Sequence, residues 1–233
     1  MFYLEIKIYM FKNLYVVGLF NFTDKIVSRK RSEIVKIIRN FINFSNISSI
    51  LDIGTTNDKT LKSSNFIIYQ FKDIKIRKSL SNQSIKDNFF NSSYKKSITK
   101  FLNHDEISDL SSDIVISSAT IEHVGDDYNK NYMIKNITLL TKKYFIITTP
   151  NRYYPIDFHT KLPFLHWLPK KIHRKILKLL GLDFFSKEEN LDLLSYNDLK
   201  NLTNDIQNFD IEIKKIKFLG LTSNLIIFGK KIT

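Results

Sequence analysis

Glu122-His123 and Asp52-Ile53-Gly54 are two places where this chain sets reactive side chains among apolar neighbours. A neutral imidazole can accept a proton near physiological pH, so His123 is a candidate base or acceptor-orienting group, and Glu122 could orient it or neutralise a cation. The plainer alternative is that Glu122 charges the start of the following helix and His123 packs. Asp52 interrupts Ile50-Leu51-Asp52-Ile53, otherwise the apolar run of a buried parallel strand. A carboxylate there is costly to bury unless it hydrogen-bonds, and at the carboxyl end of a central strand the natural partners are turn amides and a ligand. Gly54 permits a tight turn at that point. Thr55-Thr56-Asn57 follows without further glycine, so a nucleotide approaching the turn meets Thr55 and its neighbours with their side chains in the way.

A third group of candidates lies in the stretch from Asn151 to Pro169, which carries aromatics, His159, His166 and three prolines. Such a composition suits a shaped acceptor pocket, with Asn151, Arg152, Tyr153, His159, His166 and Trp167 as candidate substrate contacts and Arg152 as the group for an acidic function. The same aromatics could equally close the core over a sheet.

Placing these residues requires a sheet. Ile34, Ile38 and Phe41, widened by Val35 and Ile42, predict a helix over 28–42 ahead of the strand at Ile50. A second alternation or apolar run spans Phe66 to Phe71, followed by Ile74 to Arg77, and a third candidate strand lies around Ser97 to Leu102. The clearest is Asp113-Ile114-Val115-Ile116-Ser117-Ser118, followed by a helix over 128–141 and a strand from Tyr144 that stops at Pro150. Ser195 and Asp198 read as the capping box of another helix. Two closing strands follow, around Ile211 to Phe218 and Asn224 to Phe228. Strands alternating with helices predict an α/β fold, a parallel sheet with helices on both faces, whose ligands sit beyond the strands' carboxyl ends. Asp52, Gly54, Asn82, Gln83, Asp105, Ser117, Ser118 and Pro150 to Tyr153 would be exposed there. No linker or internal repeat divides residues 1–233, so a single domain is expected, with 151–181 as an acceptor-site insertion or lid.

Composition narrows the function classes. With no cysteine among 233 residues, disulfides, thiolate metal sites and cysteine nucleophiles are excluded, which fits a reducing, cytoplasmic compartment. A formal charge of +13 points towards nucleic acid or an anionic membrane. The basic residues are dispersed, however, and the two dense runs, Arg29 to Arg31 and Lys170 to Lys178, are not interleaved with stacking aromatics, so no nucleic-acid partner is expected. The first twenty-odd residues lack the pattern of a signal peptide and are too short an apolar stretch to span a bilayer; a strand or cap packed on the domain is the preferred reading. Lys170 to Leu180 has a basic face opposite Ile172, Ile176 and Leu180. Residues 170–180 therefore form either a solvated lid helix or a peripheral contact with the inner membrane surface.

Ile50 to Gly54, Asp105 to Leu110, the run Asp113 to Val124 with its Glu122-His123, and Thr149-Pro150-Asn151-Arg152 stand in an order that resembles the class I S-adenosylmethionine-dependent methyltransferases, of the broad group that includes quinone-biosynthesis enzymes. The resemblance covers about residues 28 to 160. It implies a Rossmann-like doubly wound, mostly parallel seven-stranded sheet with an antiparallel edge hairpin, and S-adenosylmethionine as cofactor. It further implies that Asp52 and Gly54 line the methionine part, that Asp105 and Glu106 approach the adenine, and that Ser117 and Ser118 border the sulfonium. Two departures stand out: the first motif lacks its further glycines, and no acidic residue ends the second strand, leaving Asn82 or Gln83 for the ribose hydroxyls. Some related O-methyltransferases carry a glutamate three residues before the Glu-His pair and bind a metal; Ala119 stands there, so no metal is expected, with His159 and His166 as conceivable further ligands. The implied reaction is methyl transfer to a small-molecule acceptor. The alternative is a non-catalytic binding or scaffold protein on the same fold.

Overall fold

The structure is a computed structural model and describes residues 29–58 and 64–232. The strand or cap expected in the first twenty-odd residues lies outside them. Seven strands form one sheet in the order β3-β2-β1-β4-β5-β7-β6. These are β1 (Ser49–Ile53), β2 (Ile76–Ser81), β3 (Ser92–Lys95), β4 (Ser112–Ser118), β5 (Thr141–Pro150), β6 (Phe209–Phe218) and β7 (Leu221–Lys231). The first five pair in parallel, and β7 enters antiparallel between β5 and β6. The mostly parallel sheet with an antiparallel edge pair is thus the one expected from the sequence.

Strand alternation divides the core. Ile50, Ile114, Ile116, Ile146 and Phe228 point to one face and pack on Ile34, Ile38 and Ile42, at or just beyond the helix α1 (residues 29–41), and on Ile67 and Ile68 of α2 (Phe66–Tyr69). Leu51, Val115, Phe145, Ile147 and Ile227 point to the other and pack on α3 (His104–Leu110), α4 (Asp127–Leu140) and α6 (Tyr196–Thr203) through Leu110, Met133, Ile137 and Leu199. Strands buried on both faces must be apolar at successive positions, and these runs are. Ser195 caps α6 by accepting from the Asp198 amide while the Asp198 carboxylate accepts from the Ser195 amide, as the sequence predicts.

Two elements differ from the expectation. The apolar run at 66–71 starts with a helix, and the third strand forms at Ser92–Lys95, several residues before the predicted one. Its alternation is weak and half-exposed because it is the sheet's edge, which leaves little pattern to read.

Between β1 and β4 the strand order reverses. Loops leaving neighbouring strands diverge to opposite faces there and open a crevice, the usual ligand position in such sheets.

Candidate active site

A cleft of about 270 Å³ opens at that reversal. It is lined by Gly54, Thr55 and Thr56 after β1, Asn82 and Gln83 after β2, Lys96 to Thr99 after β3, and Ala119, Thr120 and His123 after β4. Five residues singled out in the sequence, Gly54, Thr55, Asn82, Gln83 and His123, therefore meet at one site. Gly54 is required by geometry. Its φ is +92°, and a Cβ there would lie 2.1 Å from Thr120 Oγ1.

Asp52 lies beneath the turn, not in the cleft lining, and Thr55 Oγ1 donates to its carboxylate at 2.5 Å. Burial pushes the Asp52 carboxyl up to about 6, with the Thr55 hydrogen bond opposing. A raised pKa means that the folded protein holds this proton more tightly than the unfolded chain, so stability falls as pH rises from the ordinary carboxylate value through about 6. The penalty above that window is about 3 kcal/mol. Asp52→Asn is therefore expected to raise Tm at neutral pH and to leave it nearly unchanged in acid below the ordinary carboxylate range. An unchanged or lowered Tm at neutral pH would contradict this account.

Asp105 and Glu106 do not line the cleft. Because β3 ends at Lys95, the loop that reaches the site is Lys96 to Thr99, and Asp105 and Glu106 instead begin α3. Glu106 closes the capping box with Asn103 and pairs with Lys96 at 2.5 Å, while Asp105 is exposed. Ser117 and Ser118 also fall just short of the lining. Ser117 Oγ donates to the Ile53 carbonyl and Ser118 Oγ accepts from Thr148, so both stitch strands together.

Beside the cleft, which His123 lines, the 3₁₀ turn Ile121–His123 carries Glu122 and His123, and the loop after β5 brings in His159. Glu122 is fully buried. Its Oε2 accepts from Thr149 Oγ1 at 3.0 Å, and its Oε1 has no hydrogen-bond partner. His123 Nδ1 lies 2.5 Å from the Asn190 carbonyl, which can only accept, so Nδ1 carries the hydrogen. His159 Nδ1 lies 3.3 Å from Asp157 Oδ1. Burial pushes the Asp157 carboxyl up, but bonds from the His159 ring, Thr160 and the His159 amide outweigh it and hold the group well below the usual carboxylate range. His159 Nδ1 is therefore a donor too.

Both Nε2 atoms are then left with lone pairs, and they face each other at 3.1 Å, with Glu122 Oε1 3.7 Å from that of His159. Three acceptors converging on one point suit a proton shared by the rings, or a metal ion held by Glu122, His123 and His159, whose ligand atoms all lie within 4.8 Å of one another. Of the two histidines considered as further ligands, His159 stands beside the Glu122-His123 pair, in a group that could hold a metal ion, and His166 does not.

The remaining candidates in the 151–169 segment are structural or face outward. Asn151 Nδ2 donates to the Thr222 carbonyl, and the Arg152 guanidinium donates to the carbonyls of His166 and Leu168. His166 is buried, its Nε2 2.7 Å from the Tyr154 carbonyl, while Tyr153 and Trp167 are exposed. None lines the cleft. A reading of residue types finds aromatics and histidines but not which way a loop turns them. Asp157, Asn190, Lys96 and Thr120 escaped that reading; only Asp157, two residues before His159, left a trace in the spacing.

No family model matches the chain, and a search of curated proteins returns no match. Solved structures do resemble it. The small RNA methyltransferase HEN1 superposes with a TM-score of 0.55 at 14% identity, over 86% of this chain and 25% of that one. An S-adenosylmethionine-dependent methyltransferase from Methanosarcina mazei gives 0.51 at 15% identity, over 84% of this chain and 97% of that one. An O-methyltransferase family protein from Burkholderia thailandensis gives 0.53 at 10% identity, over 90% and 58%. At these identities the likeness is one of architecture: the chain carries the class I methyltransferase fold.

Proposed function

We propose that this protein transfers the methyl group of S-adenosylmethionine to a small-molecule acceptor. The observation that carries the reading is that Glu122 and His159 converge on His123, which lines a cleft that opens at the strand-order reversal. Gly54 and Thr55 would hold the methionine part, with Asn82 and Gln83 beside the ribose hydroxyls. The cofactor supplies a methyl group activated on a sulfonium. The chain's own residues position the acceptor and take its proton. As the new bond to an acceptor oxygen or nitrogen forms, the carbon–sulfur bond breaks, and the acceptor's proton passes to an imidazole Nε2, whose charge Glu122 and the Asp157-held ring stabilise.

One observation favours the scaffold alternative. The end of β2 offers Ser81, Asn82 and Gln83 with no carboxylate, and the charged group that lines the cleft is the Lys96 ammonium. Calorimetric titration with S-adenosylmethionine and S-adenosylhomocysteine separates the two. Micromolar binding is expected for the native protein, and at least a tenfold loss for Gly54→Ala, whose Cβ would collide with Thr120. Folded protein that binds neither ligand would leave the scaffold as the better account.

A further inference from the structure

We propose that the face built by residues 164–184 docks on an anionic phospholipid surface. Seven of the sixteen exposed large apolar side chains among the described residues lie between Phe164 and Phe184, so the exposed apolar area is concentrated in one short stretch. Helix α5 (Lys170–Leu179) organises it. His173 and Leu177 are buried, and Lys170 and Arg174 turn inward to Asp192 at 2.7 and 2.9 Å. Lys171, Lys175 and Lys178 are exposed and follow one another at intervals of four and three residues, so they stack in one stripe. Beside that stripe lie Ile172 and Leu179, the latter 81% exposed. A basic stripe bordering an apolar flank is the arrangement of a helix that lies in the plane of a membrane interface. Gly181, at φ +70°, ends the helix, with the Leu182 amide reaching back to the Leu177 carbonyl.

A second observation concerns the turn before α5. Phe164 has φ +58°, uncommon and costly for a bulky residue, and is held there by its amide donating to the Pro155 carbonyl at 2.8 Å. The strained turn leaves Phe164 half-exposed and edge-on to Trp167, ring centroids 4.9 Å apart, on the outside of the protein. Aromatic pairs of this kind suit the headgroup region. Among the described residues no helix is long and apolar enough to cross a membrane, so the contact is peripheral. Lysine charge selects an anionic surface over a neutral one.

Trp167 is the chain's single tryptophan, so its emission reports on this face alone. The full-length protein is mixed with vesicles of phosphatidylglycerol and phosphatidylcholine, or of phosphatidylcholine alone, and partitioning is read by flotation and by Trp167 emission. Partitioning onto the anionic vesicles with a blue shift is expected. Lys171→Gln/Lys175→Gln/Lys178→Gln should weaken it about a hundredfold, since each lysine near such a surface contributes about fivefold. Ile172→Ser/Leu179→Ser should abolish the blue shift; both variants change exposed residues, and circular dichroism verifies that they fold. The proposal is overturned by no partitioning, by partitioning with unchanged emission, or by partitioning that both variants retain. Tight binding to an oligonucleotide with none to vesicles overturns it in favour of a nucleic-acid surface.

Discussion

His123→Ala is expected to lower kcat by about 10²- to 10⁴-fold, the usual contribution of a positioned proton acceptor, once an acceptor has been found by screening. The ring is fixed at both ends. Its Nδ1 is tied to the Asn190 carbonyl, and its Nε2 faces His159. Removing it deletes the proposed acceptor and leaves Glu122 and His159 without the ring that meets them. Asp157→Asn tests the same chain of contacts one step back. An amide can present its NH₂ to His159 Nδ1, which reverses the ring's tautomer and turns its Nε2 from acceptor to donor. The two substitutions act on one unit, so the double variant should lose little more than His123→Ala alone. Affinity for S-adenosylhomocysteine should change far less than kcat in Asp157→Asn, because Asp157 does not line the cleft. A His123→Ala protein with undiminished turnover would remove the cluster from the mechanism.

The second large effect is on stability. Asp192 is almost fully buried and accepts from Lys130 at 2.5 Å, Lys170 at 2.7 Å and Arg174 at 2.9 Å, which joins α4, α5 and the segment before α6. Lys130 has no solvent exposure at all. Burial alone would push its ammonium down, but the bonds to Asp192 and Asp127 outweigh that and raise it, so the group stays charged. Asp192→Ala removes the buried partner of this charge, leaving it only the exposed Asp127, and is expected to cost about 3 kcal/mol. That is a large part of the roughly 5–15 kcal/mol that holds a domain together, and corresponds to a fall in Tm of about 10 °C at this size. Lys170→Ala, at a partly exposed partner, should cost less than about 1 kcal/mol. A double replacement, Lys130→Met with Asp192→Leu, should recover most of the loss because no buried charge remains. Thermal melts of the four proteins decide the matter, and a fall below about 3 °C for Asp192→Ala would show that water already reaches the pair.

The Asp192 cluster also abuts the candidate active site. The Asp192 amide donates to the Glu122 carbonyl, and Asn190, two residues earlier, holds His123. The segment that meets the site thus runs well past Gly181, where the sequence suggested that the insertion ends. Its acidic residues anchor α5 by its inner side, which leaves the lysine stripe outward.

Read alone, the sequence determined the strands β1, β4 and β5 and the closing pair β6 and β7, the helices expected over 28–42 and 128–141, the α6 capping box and the turn at Gly54, because each depends on contacts within a few residues or on apolar periodicity that the backbone enforces. It also singled out His123, which lines the cleft in the turn that follows β4. The tertiary structure alone decided which histidine joins it. His159 and His166 are both flanked by aromatics and prolines, yet one meets His123 across 36 positions of chain while the other is buried against Tyr154. Loops carry no period, and their direction follows from distant anchors such as Arg152 on the His166 and Leu168 carbonyls and Asp157 on Thr160. The displacement of Asp105 and Glu106 from the cleft has a related cause. The short edge strand β3 has too little apolar alternation to announce its end, and a shift of several residues there replaces two carboxylates with Lys96.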